Sequence, residues 1–216
     1  ERRVVQMGEN PKSVYLVGGL GVDSIKNLKF LTKKKLELDL RFSFGEKNLL
    51  VTFHPVTLEE NSSFKHMNEL LNALSTLNDT TIIFTMPNAD TDSRIIFSLI
   101  DGFVQYKSNA ISFTSLGHLR YLSLIKYVDG VIGNSSSGII EVPSLKIGTI
   151  NIGDRQKGRS KAVSIIDTEP KKSAILNAIQ KLYSKKFRSK LKNLKNPYGN
   201  GGASMKIVRK LEKISL

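Results

Sequence analysis

The chain of 216 residues has no cysteine. That excludes disulfides, thiolate nucleophiles and cysteine-based zinc sites together. No apolar run approaches the roughly 18 residues that would suggest a membrane-spanning helix. The opening Glu1-Arg2-Arg3-Val4-Val5-Gln6 lacks the charged-then-apolar layout of a secretion signal. A cytoplasmic protein with no membrane partner is expected. Acidic residues are scarce in one region only: residues 171–216 carry 13 Lys and Arg against the single acid Glu212, whereas residues 1–170 carry 20 bases and 18 acids. The net charge of +14 is therefore mostly a property of the last 46 residues. There the lysines flank Ile175, Leu176, Ile179 and Leu182 at helical spacing, as on the polar side of an amphipathic helix. They are not interleaved with a ladder of aromatics on which bases could stack, so no nucleic-acid partner is expected. A basic face of this kind would attract an anionic ligand.

What is present suits a globular chain: 40% apolar and 24% charged residues support a core and exclude disorder. From residue 49 onward, short apolar runs alternate with longer amphipathic ones. Leu49–Phe53 reads as a buried strand, and Thr81–Met86, Ala110–Thr114, Gly130–Gly133 and Gly148–Ile152 as further strands. Between them lie helices. The first is capped by Ser62 or Ser63 and has the stripe Phe64, Met67, Leu70, Leu71, Leu74, Leu77. The second is opened by Asp92-Ser93 and has Ile95, Ile96, Leu99, Ile100 and Phe103 on one side. A third spans Leu116 to Tyr127, and a short one runs to Leu145. Helices are also expected at 171–183, 185–193 and from Ala203 to Ile214. This alternation predicts an α/β class, with a doubly wound, Rossmann-like parallel sheet. The first 45 residues break the pattern: Arg3–Gly8 and Val14–Gly18 read as short strands without a βαβ partner, and Leu28–Leu40 as a Lys-rich helix.

In such a sheet, ligands bind outside the carboxyl ends of the strands. The polar residues there are His54-Pro55; Pro87-Asn88-Ala89-Asp90; Gly133-Asn134-Ser135-Ser136-Ser137-Gly138; and Gly153-Asp154-Arg155-Gln156-Lys157-Gly158-Arg159. The small residues of 133–138 allow close backbone approach, and their hydroxyls with helix N–H groups suit a phosphate. An ordinary capped turn is the alternative reading. Glu141 one turn on can accept from a ribose diol or simply complement the helix dipole. Arg155 and Arg159 can reach an anion. Proline fixes the direction of His54, whereas His66 and His118 fall in helices and read as surface or satisfied positions. No metal-ligand spacing occurs, nor a P-loop, and Gly18-Gly19-Leu20-Gly21 fails the dinucleotide fingerprint because position 24 is Ser.

In order along the chain, Leu50-Val51-Thr52-Phe53-His54-Pro55-Val56-Thr57, Pro87-Asn88-Ala89-Asp90, Ile132-Gly133-Asn134-Ser135-Ser136-Ser137-Gly138-Ile139-Ile140-Glu141 and Asn151-Ile152-Gly153-Asp154-Arg155-Gln156-x-Gly158-Arg159 resemble the hydrolysing UDP-N-acetylglucosamine 2-epimerases of sialic-acid biosynthesis. The opening Arg3–Glu9 and the closing Tyr198-Gly199-x-Gly201 fit as well. The resemblance implies the C-terminal domain of a two-domain glycosyltransferase-B fold, with residues 1–44 as the tail of the first domain plus linker and 45–216 as the nucleotide-binding domain. It implies a UDP-sugar substrate held between this chain and a missing N-terminal domain. The diphosphate would rest on Ser135 and Ser136, the ribose on Glu141, and Arg155 would reach the nucleotide. Asn88 and a catalytic His54 would lie on the diphosphate or sugar side. The implied reaction eliminates UDP through a glycal-like intermediate and adds water to give N-acetylmannosamine, with no metal or cofactor and in a homo-oligomer. The acid/base carboxylates would lie mostly in the other half, leaving this chain inactive alone. A sister enzyme using a UDP-diacetamido sugar, or a glycosyltransferase of the same fold, would share these motifs.

Overall fold

The computed structural model describes residues 1–56, 62–88 and 93–213. Thr57, Ala89, Asp90, Asp92 and Ile214, and the side chain of the candidate cap Ser62, lie outside that description. Six strands form one sheet in the order β3-β2-β1-β4-β5-β6: β1 (Lys47–Thr52), β2 (Thr80–Thr85), β3 (Ala110–Phe113), β4 (Gly130–Gly133), β5 (Gly148–Ile152) and β6 (Ile165–Thr168). Every pairing is parallel. The strand order reverses between β1 and β4, which makes the carboxyl ends of those two strands the switch point. The Rossmann-like expectation holds, with β6 as an additional strand.

Alternation along β1 divides the core. Leu49, Val51 and Phe53 face one layer with Ile82, Phe84, Ile132 and Ile150, while Leu50 faces the other with Ile83 and Val131. Helices α4 (Ser62–Leu74), α5 (Ser93–Tyr106) and α8 (Lys172–Tyr183) cover the first layer. Helices α2 (Leu20–Asn27), α3 (Lys33–Leu40) and α6 (Gly117–Ile125) cover the second, through Ile25, Leu36 and Leu122–Ile125. Met67, Leu70, Leu71 and Leu74 of α4 are buried as their spacing predicts. Phe64 and Ile95, expected on the same inward stripes, are instead 55% and 45% exposed. Each lies in the first turn of its helix.

Helix α9 (Lys185–Leu191) follows α8 at the amino edge of the sheet. β5 begins on glycine because a Cβ at Gly148 would stand 2.5 Å from Leu182 Cδ1 and 2.7 Å from the Phe187 ring. The two side chains close the core at that edge.

The amino-terminal segment differs from its sequence-based reading. Arg3–Gly8 does not form a strand: α1 (Arg2–Gln6) is helical, with Val5 N–H donating to Glu1 O at 3.1 Å and Met7 N–H to Arg3 O at 3.1 Å. The β-branched pair Val4-Val5 favours extended chain, but the segment joins no described strand, and local helical bonds satisfy its backbone. Val14–Gly18 is likewise not a strand, and Leu16 is 77% exposed. The Lys-rich helix begins at Lys33 rather than Leu28, where the Thr32 hydroxyl caps Lys35 N–H at 3.3 Å.

Helix α10 (Ala203–Leu211) returns to α2. Its Ncap, Gly202, supplies no side chain, and Asp23 of α2 takes over that role. One carboxylate oxygen accepts from Ala203 N–H at 2.9 Å; the other accepts from Ser204 N–H at 2.7 Å and from the Ser204 hydroxyl at 2.6 Å. The Ser204 hydroxyl, with the Ser204 and Ala203 amides, holds the Asp23 carboxyl down at about 2.

Candidate functional site

The switch point is built around Asn134, immediately after β4. Its amide exchanges two hydrogen bonds with the backbone at the end of β1: His54 N–H donates to Asn134 Oδ1 at 2.7 Å, and Asn134 Nδ2 donates to His54 O at 2.8 Å. Its own carbonyl accepts from Gln156 Nε2 at 2.8 Å and Arg155 Nη1 at 3.2 Å. Asn134 and Gln156 are 1% and 2% exposed. One residue thereby locks together the ends of β1 and β4 and the loop after β5. Gly133 makes the approach possible: its φ is 137°, and a Cβ there would collide with the Thr52 carbonyl.

The chain then turns into α7 (Ser136–Ile140), where Ser135 is the Ncap and its hydroxyl accepts weakly from Ser137 N–H at 3.4 Å. The first turn of a helix leaves N–H groups without intrahelical acceptors, and this turn stands at the switch point. Beneath the turn lies a cluster of hydroxyls. Thr52 Oγ1 and Thr85 Oγ1 are 2.5 Å apart. The Tyr121 hydroxyl lies beside Ser137 and Thr52 with no well-formed hydrogen bond, and burial pushes its phenol pKa up. Glu141 ends α7 half-buried, its Oε1 3.4 Å from where a Cβ of Gly21 would be, so its carboxylate lies against the first turn of α2.

Of the six residues expected from the sequence, His54 and Arg155 meet on Asn134, and Ser135, Ser136 and Glu141 follow it along α7. Asn88 stands apart at the end of β2. It is exposed, on a cleft of about 410 Å³ with Thr114, His118 and Tyr121. A larger cavity, about 770 Å³, opens at the ends of β5 and β6 among Phe53, Gly153, Arg159 and Asp167. It holds none of the six. His118 is exposed on α6, its Nε2 3.3 Å from Ser24 Oγ. Among the described residues no three His, Asp or Glu side chains are grouped to hold a metal ion, and no helix is long and apolar enough to cross a membrane.

Asn134, Gln156 and Tyr121 were not singled out by sequence reasoning. Asn134 and Gln156 sit inside the motifs, but their contacts span 80 and 22 positions, which no local pattern displays.

Residues 1–212 match the family model described as UDP-N-acetylglucosamine 2-epimerase. The chain is 43% identical over 211 residues to polysialic acid biosynthesis protein P7 of Escherichia coli, covering 97% of this chain and 53% of that protein. It is 43% identical over 189 residues to the hydrolyzing GDP/UDP-N,N'-diacetylbacillosamine 2-epimerase of Campylobacter jejuni, covering 87% of this chain and 49% of that one. The solved UDP-GlcNAc 2-epimerase of Methanocaldococcus jannaschii, in complex with UDP-GlcNAc and UDP, has a similar fold (TM-score 0.72, 20% identity, 98% of this chain and 58% of that chain). The chain spans about half the length of the curated relatives it matches.

Proposed function

We propose, from the premise that the chain belongs to the UDP-N-acetylglucosamine 2-epimerase family, that it supplies the nucleotide-binding half of a hydrolysing 2-epimerase acting on a UDP-linked 2-acetamido sugar. The observation that carries this reading is the convergence on Asn134: His54, Arg155 and the α7 turn are fixed at the strand-order reversal, where a doubly wound sheet binds its ligand. In this reading Ser135 and Ser136 receive the diphosphate and Glu141 the ribose. Arg155 neutralises the nucleotide, and Asn88 and His54 face the diphosphate or the sugar. Departing UDP gathers negative charge, so donors already held in place lower the barrier chiefly by electrostatic stabilisation. Abstraction of the proton at C2 and its return fall to carboxylates of a companion domain. Residues 45–216 form the nucleotide domain and residues 1–44 lead into it. The protein acts in the cytoplasm as a homo-oligomer, without metal or cofactor.

The test is to assay UDP release and free-sugar identity from several UDP-sugars, with this chain alone and joined to its companion half. N-acetylmannosamine with UDP, from the joined protein only, is the expected result. Full epimerase activity from residues 1–216 alone would overturn the division of labour, and transfer to an acceptor would make it a glycosyltransferase. A diacetamido-mannose product would select a second reading, favoured by the 43% identity to the Campylobacter jejuni protein. Titration of UDP against Ser136→Ala and Glu141→Ala probes the cradle. Unchanged affinity in both would remove the phosphate and ribose assignments.

A further inference from the structure

The lysines at the end of α8 and on α9 lie at the wrong end of the molecule to serve the nucleotide. α8 runs back along the sheet so that Leu182 and Phe187 close over Gly148, the first residue of β5, while Arg188 pairs with Asp129, just before β4, at 3.0 Å. α9 is therefore fixed at the amino edge, opposite the carboxyl edge that carries His54 and the α7 turn. The strands between are four to six residues long. At roughly 3.3 Å per residue they set the two edges some 13–20 Å apart. That exceeds the Debye length of about 8 Å at physiological ionic strength. Lysines there do little to draw an anion into the site.

Six of them are exposed and make no ion pair among the described residues: Lys146, Lys181, Lys185, Lys186, Lys190 and Lys192. The neighbouring acids are already engaged, Asp129 by Arg188 and Asp79 by Lys47, leaving Glu46 as the nearby carboxylate without a described pair. On α9 the apolar side chains Phe187 and Leu191 turn inward and bases cover the rest of the helix.

We infer that this amino-edge lysine cluster is a peripheral docking surface for anionic phospholipid headgroups, which seats the protein with its nucleotide edge facing away from the bilayer. Three features favour a membrane over other polyanions or a protein. The free charges are lysines, mobile point charges suited to a diffuse layer, rather than the planar forks that read phosphate or base edges. Phe187 is buried, and Tyr183 is half-buried and occupied by Lys47 and Arg188, which leaves no stacking platform for bases. No large apolar side chain between Val163 and Met205 is exposed, so the cluster lacks the apolar centre of a stable protein interface. Four to eight clustered bases are the footprint of attraction to acidic lipid. The sequence-based expectation of no membrane partner rested on the lack of an apolar span, which does not bear on peripheral contact. With no exposed apolar side chain within the cluster itself, attachment is reversible and salt-sensitive.

The test is co-sedimentation of the protein with vesicles of phosphatidylcholine alone and of phosphatidylcholine with phosphatidylserine, at low and physiological salt. A variant carrying Lys185→Gln, Lys186→Gln, Lys190→Gln and Lys192→Gln is measured in parallel, with a thermal melt to confirm its fold. Binding to the phosphatidylserine vesicles only is expected, weakened by salt and by about fivefold per lysine removed, with UDP affinity unchanged. No sedimentation of the wild type at low salt, or equal sedimentation of the folded variant, overturns the inference. Tighter binding to a duplex oligonucleotide than to the vesicles, lost in the same variant, would replace the membrane by nucleic acid. Because UDP binding is read separately, failure here leaves the proposed enzymatic function untouched.

Discussion

Asn134 and His54 exchange two hydrogen bonds across the seam between β4 and β1, the amide of one gripping both backbone polar groups of the other. The contact does the work of one more rung of sheet where the strands have ended. It also sets where the imidazole leaves the backbone. A side-chain amide is required, because one end must accept from N–H and the other must donate to C=O.

Asn134→Ala removes the acceptor and the donor that the side chain offers to the buried His54 backbone. A loss of about 2–4 kcal/mol is expected, from roughly 1–3 kcal/mol for each unsatisfied group. Asn134→Asp does not rescue it, since a carboxylate oxygen would face the His54 carbonyl. Urea denaturation of the two variants checks this; an aspartate variant as stable as the wild type would contradict the amide requirement.

Gly133→Ala places a methyl group in the Thr52 carbonyl at a φ of 137°. Backbone must move, at a cost of about 4 kcal/mol or more. Soluble expression or melting temperature reports it. Gly148→Ala meets side chains instead, and Leu182 and Phe187 can give a little, so about 1–3 kcal/mol is expected there.

Asp23 predicts an acid limit. Its folded pKa of about 2 lies below the ordinary 3.8, so the unfolded chain binds the proton more readily. The stability it contributes is present above pH 3.8 and drains away as pH falls toward 2. Asp23→Asn should melt lower than the wild type at neutral pH, with the gap closing across that window. A gap independent of pH would remove the carboxylate from the account.

Tyr121 predicts the opposite limit. Burial raises its pKa, so only the unfolded phenol ionises near pH 10, and stability falls as pH rises beyond that value. Tyr121→Phe should leave neutral-pH stability nearly unchanged, because its hydroxyl makes no well-formed bond, and should flatten the alkaline decline. Melting curves from pH 8 to pH 11 would show whether the two proteins diverge.

Five of the six strands were legible because each is a short apolar run ended by proline, glycine or a polar turn. β6 was not: only Ile166 of its four residues is fully buried, so it carries no continuous apolar signal. Arg3–Gly8 misled in the other direction: its β-branched pair favours extended chain, yet local helical bonds satisfy its backbone. The candidate site was legible as a set of strand ends, because polar residues gather where the sheet stops. Its linchpin was not, because Asn134 acts through distant backbone.

Asp23 reaches 181 positions along the chain to Ser204, while α2 also touches Glu141 through Gly21 and His118 through Ser24. α2 thus ties α10 to the end of α7. Loosening α10 from Asp23 would therefore also release the helix against which the Glu141 carboxylate rests.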